Sequence, residues 1–345
     1  MDEAERRFLV TGAQGFLGRH VVQALLTSYP RAQVLGIGRS PYAPDFFTHS
    51  LRWAGRSLRA RVPAYLRSTV DLARYHYEAL DLCSGAATEK VVCEFEPEVV
   101  FHLASGLKGD PVDYLMRNGV EGTVRLLEAL GRLNKSQVRF LYSSSCGIYG
   151  QVPEHLLPIR EDVAASPTDL YSVSKLASEY ACRILCEKNG IAGVYARLFN
   201  LVGPGQDERH VCGRLAAQVA AISLGLQTPL LEIGDMQTTR DFIDVRDCAR
   251  AIVLIAENGM PSEIYNVASG EETAIASVLC TMLGQAGLRE SVTTCTSREL
   301  SGGARRHYAS TARLSGLGFR PERSIRDSLG DLLKYYLREV SVLAQ

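Results

Sequence analysis

Phe8-Leu9-Val10-Thr11-Gly12-Ala13-Gln14-Gly15-Phe16-Leu17-Gly18 decides how the rest of the chain is read. Residues 8–11 are β-branched or apolar and read as a buried strand, and residues 19–28 carry a helical pattern. The glycines fall between them. Gly12 permits a tight turn, Gly15 lets the backbone approach an anion such as a pyrophosphate, and Gly18 lets the new helix pack closely. The anion would sit at the positive end of that helix, against the backbone around Phe16 and Leu17. A glycine triplet alone is a weak signal. Here strand, turn and helix follow in the order that dinucleotide binding requires.

Working outward, short β-branched runs keep alternating with helical patterns. Strands are expected at 33–37, 99–103, 138–144 and 194–199, and helices at 118–133 and 170–188. Such alternation predicts βαβ units and a parallel sheet, an α/β fold of the doubly wound Rossmann type. Beyond Gly203 the regularity fails, and a last helix is expected at 325–339. We therefore expect a nucleotide-binding domain over 1–200 and a smaller α/β substrate-binding part over 201–345, with some elements returning to the first. One stretch breaks the pattern. Residues 39–74 carry seven arginines against Asp45 and Asp71, where a βα connection is ordinarily a few residues long. The plainer expectation is a solvated helix; a surface for phosphates or a partner subunit is the other.

The chain has 345 residues with 38 basic and 38 acidic side chains, so no global charge points to nucleic acid. No apolar run approaches the roughly 20 residues that span a bilayer. Nine cysteines without a CxxC pair suit free thiols in a reducing, cytoplasmic setting and no metal centre.

Tyr171-Ser172-Val173-Ser174-Lys175 puts Tyr171 and Lys175 four apart on a predicted helix, hence on one face. A lysine ammonium one turn from a phenol favours the phenolate, which makes the pair a candidate acid/base. YxxxK is common by chance, and position gives it meaning. Tyr142-Ser143-Ser144-Ser145-Cys146-Gly147-Ile148-Tyr149-Gly150 ends a predicted parallel strand, where ligands bind. The plain alternative is that these serines only satisfy a turn.

These motifs, in this order from Phe8 to about residue 337, resemble the extended short-chain dehydrogenase/reductases, the epimerase/dehydratase group. The resemblance implies catalytic roles for Ser145, Tyr171 and Lys175. It implies cofactor contacts at Gly12, Gly15, Phe16, Leu17 and Gly18, at Asp81 and Leu82, at Leu103 and Ala104 of His102-Leu103-Ala104-Ser105, and at Tyr171 and Lys175. Asp81 reads equally as a helix cap, and His102 as a packed, hydrogen-bonded residue. Asn118, ahead of Gly122-Thr123, is similar to the family's NxxGT helix start. After the second strand, Gly38-Arg39-Ser40 has an arginine where an NAD enzyme places a carboxylate, so NADP(H) is expected over NAD.

Arg197-Leu198-Phe199-Asn200 with Gly203-Pro204-Gly205-Gln206, and Thr239-Arg240-Asp241-Phe242-Ile243-Asp244, are similar to segments of nucleotide-sugar members, most of all the GDP-4-keto-6-deoxy-mannose reductases. That likeness implies Ser105, Asn200 and Arg240 at the substrate, with Arg298 or Arg305 as a second diphosphate contact. A surface ion pair of Arg240 with Asp241 or Asp244 is the plain alternative. The implied reaction is hydride transfer from NADPH to the C4 carbonyl of a nucleotide-diphosphate sugar. The 4,6-dehydratases carry a carboxylate just after the catalytic hydroxyl, whereas this chain has Cys146 and Gly147. A 4-epimerase with retained cofactor is the first alternative, followed by a dehydratase and then a non-catalytic NADP sensor. The family also implies a homodimer through helices 119–133 and 171–188, with Leu126, Leu127, Leu130, Leu176 and Tyr180 as its apolar face or as internal core.

Overall fold

The computed structural model describes residues 5–53, 56–67, 73–133, 138–288, 292–297 and 304–343. Its centre is a seven-stranded sheet built from β1 (Arg7–Thr11), β2 (Gln33–Gly38), β5 (Tyr75–Ala79), β6 (Val99–His102), β7 (Arg139–Ser145), β8 (Ala192–Leu198) and β13 (Ile264–Val267). All neighbouring pairs are parallel, in the order β13-β8-β7-β6-β1-β2-β5. A parallel sheet must be covered on both faces. Helices α1 (Phe16–Ser28) and α8 (Val245–Asn258) cover one; α3 (Gly85–Phe95), α5 (Gly122–Leu130) and α6 (Leu170–Lys188) cover the other. Two buried clusters follow, one with Phe8, Val10, Leu25 and Phe101, the other with Leu9, Val100, Leu126 and Phe140. The strand order reverses between β1 and β6, which opens a crevice at their carboxyl ends.

The helix expected to begin at Asn118 begins earlier. Helix α4 (Val112–Leu115) runs through a π-helical turn, Met116–Glu121, into α5, and Asn118 Nδ2 donates to the Tyr114 carbonyl at 2.9 Å within that turn. Such single-turn widenings cluster at functional sites.

The basic insertion is not a solvated helix. It folds as an antiparallel hairpin, β3 (Phe46–Trp53) with β4 (Arg56–Arg61), followed by the short helix α2 (Ala64–Arg67). Its arginines hide an apolar alternation. Phe47, Leu51, Ala60, Val62 and Leu66 are buried in a separate core with α7 (Val211–Ser223), α9 (Ile275–Ala286) and α11 (Ile325–Leu343). Small sheets complete this region: β9 (Asn200–Val202) with β12 (Phe242–Asp244), β10 (Leu230–Ile233) with β15 (Thr293–Thr296), and β11 (Thr239–Arg240) between β14 (Thr273–Ala274) and β16 (Arg306–His307).

Leu126, Leu127 and Leu130 belong to the internal core, which removes them from any subunit face. Among the described residues no helix is long and apolar enough to cross a membrane.

Candidate active site

The crevice floor is made by close backbone approach. Gly12 has φ +70°, and a Cβ there would lie 3.0 Å from the Ala104 nitrogen. A Cβ at Gly18 would meet the Gly12 carbonyl at 2.1 Å. Thr11 staples the two loops: its Oγ1 accepts from the Leu103 and Ala104 amides, each at 3.1 Å, and bonds His102 Nδ1 at 2.8 Å. His102 Nε2 bonds Thr123 Oγ1 at 2.8 Å, and burial drives the imidazole down to about 3. His102 is thus a neutral structural residue, as its packed reading anticipates. Helix α1 starts at Gly15 with no side-chain cap and no acid in its first turn, so its amides face the crevice free to meet phosphate. This cradle fits a dinucleotide's pyrophosphate.

At the rim, Asp81 does not cap α3, whose N-cap is Ser84; its Oδ1 accepts from the Cys83 amide at 3.0 Å in the preceding turn, and Oδ2 faces Arg117 at 3.4 Å. Leu82 is buried beside it. Arg39 leaves the end of β2, exposed, and reaches Tyr114, with no acid as partner among the described residues.

Along the crevice, β7 ends at Ser145, and α6 brings Tyr171 and Lys175 against it. Asp169 caps α6 by accepting from the Ser172 amide at 2.8 Å, and Lys108 pairs with its other oxygen at 2.9 Å. Ser145 Oγ accepts from the Gly147 amide at 3.1 Å and lies near enough to the Tyr171 hydroxyl to favour its phenolate. Burial pushes the Tyr171 phenol up to about 12, with Ser145 opposing. Lys175 is buried, donates to the Ser143 carbonyl at 2.8 Å, and is lowered to about 8 by desolvation. The neutral phenol and the ammonium are therefore the neutral-pH forms. Cys146, next in line, is pushed up to about 12 by burial and is an inert thiol at neutral pH.

Sequence reasoning missed what braces this wall. Glu179, one turn beyond Lys175, takes Ser144 Oγ at 2.6 Å and both Arg197 Nη2 at 2.8 Å and Nε at 3.2 Å. Arg197 lies over the Tyr149 ring, whose hydroxyl donates to Asn266 Oδ1 at 2.7 Å. The signal was present, because Tyr171, Lys175 and Glu179 repeat at intervals of four on one helix.

Close to Cys146, the residue after Ser145, stands Arg240. Its Nη1 donates to the Thr239 and Ala304 carbonyls at 2.7 and 2.8 Å, and it has no carboxylate partner among the described residues. Both acids that could have paired with it are engaged. Asp241 takes the Ser269 amide and hydroxyl, the Gly270 amide and the Ala309 amide, while Asp244 pairs with Arg246 at 2.7 Å and accepts from Ser328. A largely buried cation without a counter-ion is costly unless an anion arrives. Asn200 Nδ2 donates to the Asp241 carbonyl at 3.0 Å, beside Arg240. Ser105 is half-buried after β6, and Arg305 is exposed just before β16, its carbonyl accepting from the Thr239 amide at 2.9 Å. Arg298 lies outside the described residues.

Comparison with known proteins agrees with this geometry. The NAD dependent epimerase/dehydratase family profile matches residues 8–268. A GDP-6-deoxy-D-mannose reductase of Pseudomonas aeruginosa is 37% identical over 69% of this chain and 79% of its own length. A dTDP-glucose 4,6-dehydratase of Salmonella typhimurium is 26% identical over 96% of this chain and 92% of its own. The solved structure of RMD from Pseudomonas aeruginosa complexed with NADPH superimposes with a TM-score of 0.78 at 29% identity, covering 97% of this chain and 98% of that one. With a parallel sheet reversing between β1 and β6, a glycine cradle at that point and the motifs on its strand ends, the chain belongs to the NAD dependent epimerase/dehydratase family.

Proposed function

We propose that this protein is an NADPH-dependent reductase of a nucleotide-diphosphate 4-keto-6-deoxyhexose, with a GDP-linked sugar as the preferred class. One juxtaposition carries the reading: Ser145, Tyr171 and Lys175 gather at the end of β7, Arg240 lies close to the next residue, Cys146, with no carboxylate partner among the described residues, and neither Cys146 nor Gly147 supplies a carboxylate. The likeness to a GDP-6-deoxy-D-mannose reductase and to an NADPH-bound neighbour supports it.

Gly12, Gly15, Phe16, Leu17 and Gly18 hold the pyrophosphate of the dinucleotide, Arg39 its 2′-phosphate, Asp81 and Leu82 the adenine, and Leu103 and Ala104 the floor. Bound NADPH supplies the hydride. Ser145 accepts from Gly147, which leaves its hydroxyl proton to bond the substrate oxygen as that oxygen gains charge. Tyr171, a neutral phenol at pH 7, gives its proton to that oxygen, a stronger base than phenolate. Lys175 holds the phenolate so formed and the cofactor ribose. Arg240 and Asn200, with Ser105 and Arg305 or Arg298, bind the diphosphate and sugar; a guanidinium fork suits phosphate oxygens. The elements from residue 201 onward form this substrate half.

The reading includes a homodimer closed through α6, on which Tyr180 and Ile184 are 57% and 65% exposed one turn apart. It also includes work in the cytoplasm, in keeping with nine free cysteines. The test follows NADPH absorbance with GDP-4-keto-6-deoxy-mannose, with NADH in parallel. Stoichiometric oxidation that prefers NADPH is expected. Isomerisation without net oxidation would replace the reading with a 4-epimerase.

A further inference from the structure

Arg39 is held at both ends. At its base, the Ser40 carbonyl accepts from the Tyr77 hydroxyl at 2.8 Å and from Gln14 Nε2 at 3.3 Å. Gln14 belongs to the glycine loop, and its Nε2 also donates to the Pro41 carbonyl at 3.0 Å. Backbone direction after β2 is therefore tied to the pyrophosphate cradle itself. At its tip, the Arg39 guanidinium lies 4.7 Å from the Tyr114 ring centroid and donates to the Tyr114 hydroxyl. Tyr114 is on α4, which follows β6, so this contact crosses the mouth of the crevice from one side of the strand reversal to the other. Tyr114 is itself fixed: its carbonyl accepts from Asn118 at 2.9 Å in the π-helical turn, and its ring packs against Gly106.

The two arginines at this rim differ in one respect. Arg117 spends its charge on Asp81 at 3.4 Å, while Arg39 has no carboxylate partner among the described residues. A guanidinium resting on an aromatic face keeps its full charge and loses side-chain freedom. An arginine fixed in advance gives up less entropy when a phosphate monoester binds.

We propose that Tyr114 is a positioning residue for cofactor selection: it holds the Arg39 guanidinium across the crevice mouth, ready for a phosphate on the 2′-position of an adenosine. The inference rests on the NADPH reading and deepens it.

The experiment needs neither sugar nor turnover. Isothermal titration compares adenosine 2′,5′-bisphosphate with adenosine 5′-monophosphate, which lacks only the 2′-phosphate. The proteins are the wild type, Arg39→Gln, Tyr114→Leu and Tyr114→Phe, with thermal unfolding as the fold control. Wild type should prefer the bisphosphate, and Arg39→Gln should lose that preference by roughly tenfold or more. Tyr114→Leu should weaken bisphosphate binding about fivefold and leave the monophosphate unchanged, because an exposed cation–π contact contributes about that factor. Tyr114→Phe, which keeps the ring, should recover part of the loss. Equal effects of Tyr114→Leu on both nucleotides, or none on either, overturn the inference while the NADPH reading stands. A wild type without preference overturns both Arg39's role and Tyr114's, and leaves keto-sugar reduction to the absorbance assay. A wild type that binds neither nucleotide overturns the cofactor reading as well.

Discussion

The wall formed by β7 and α6 and the hairpin of β3 and β4, packed into the second core, were written into the chain in different ways. On the wall, each residue type is demanded by something a few positions away. Tyr171, Lys175 and Glu179 share a helix face, and Ser145 caps the turn that follows its own strand. In the hairpin, what matters is remote. Phe47 packs into the core of α7 and α11, and a Cβ on Gly205 would strike its ring at 2.3 Å. Arg19, in α1, is buried and donates to the Phe46 carbonyl at 2.6 Å, and its guanidinium lies 5.8 Å from the Phe47 ring. Local chemistry leaves motifs, whereas docking onto a distant core leaves only an alternation that the hairpin's four arginines obscure.

The sharpest way to break this contrast is on the wall. Tyr171→Phe removes the proton donor and little else, so kcat for the keto-sugar should fall by about 10²–10⁴-fold with nucleotide affinity intact. Turnover within tenfold of wild type would sink Tyr171's role.

On the hairpin the expected loss is in stability. Phe47→Ala opens a hole among fully buried side chains, and such truncations cost about 3–5 kcal/mol. Urea unfolding of the variant should show it, with kcat per folded molecule changed far less than by Tyr171→Phe. A cost under about 1 kcal/mol would mean that the hairpin is an appendage and not part of the second core.

Between these lies Arg240, which was readable as a motif but not as a site. The sequence placed Asp241 and Asp244 close enough to neutralise it. Only the fold shows that both are consumed, Asp241 by Ser269, Gly270 and Ala309, and Asp244 by Arg246 and Ser328. Arg240→Met should raise KM for the nucleotide sugar by about 10- to 100-fold, the worth of charge-assisted phosphate bonds, and leave NADPH affinity alone. An unchanged KM would restore the reading of Arg240 as structural.

The same division explains what else was legible. The glycine loop, the strand and helix that flank it and the Tyr–Lys helix were legible from local spacing, and at the loop the reason is that backbone contact at Gly12 and Gly18 leaves no room for a side chain. The start of α4 at Val112 was missed because a π-helical turn breaks the periodicity that marks a helix. Leu126, Leu127 and Leu130 could be read as a subunit face or as core with equal right. An apolar stripe records that something covers it, and the covering sheet is supplied by distant segments of chain.

The smallest effect tests whether the wall is as dry as its geometry implies. Lys175 holds its proton only to about 8 in the folded protein, against 10.5 ordinarily, because burial removes water from the ammonium. Between those values the unfolded chain binds a proton that the folded one has released, so folding stability rises with pH across that window. Below about 8 both states are protonated, and the burial cost is at its full, constant size. Urea unfolding of wild type against Lys175→Met isolates this group from the other titrating side chains. The difference should be flat from pH 6 to about 8 and then move in favour of wild type, by at most about 1.4 kcal/mol per pH unit. A flat difference up to pH 10 would mean that water reaches Lys175 Nζ, and that its bond to the Ser143 carbonyl, rather than desolvation, governs its environment.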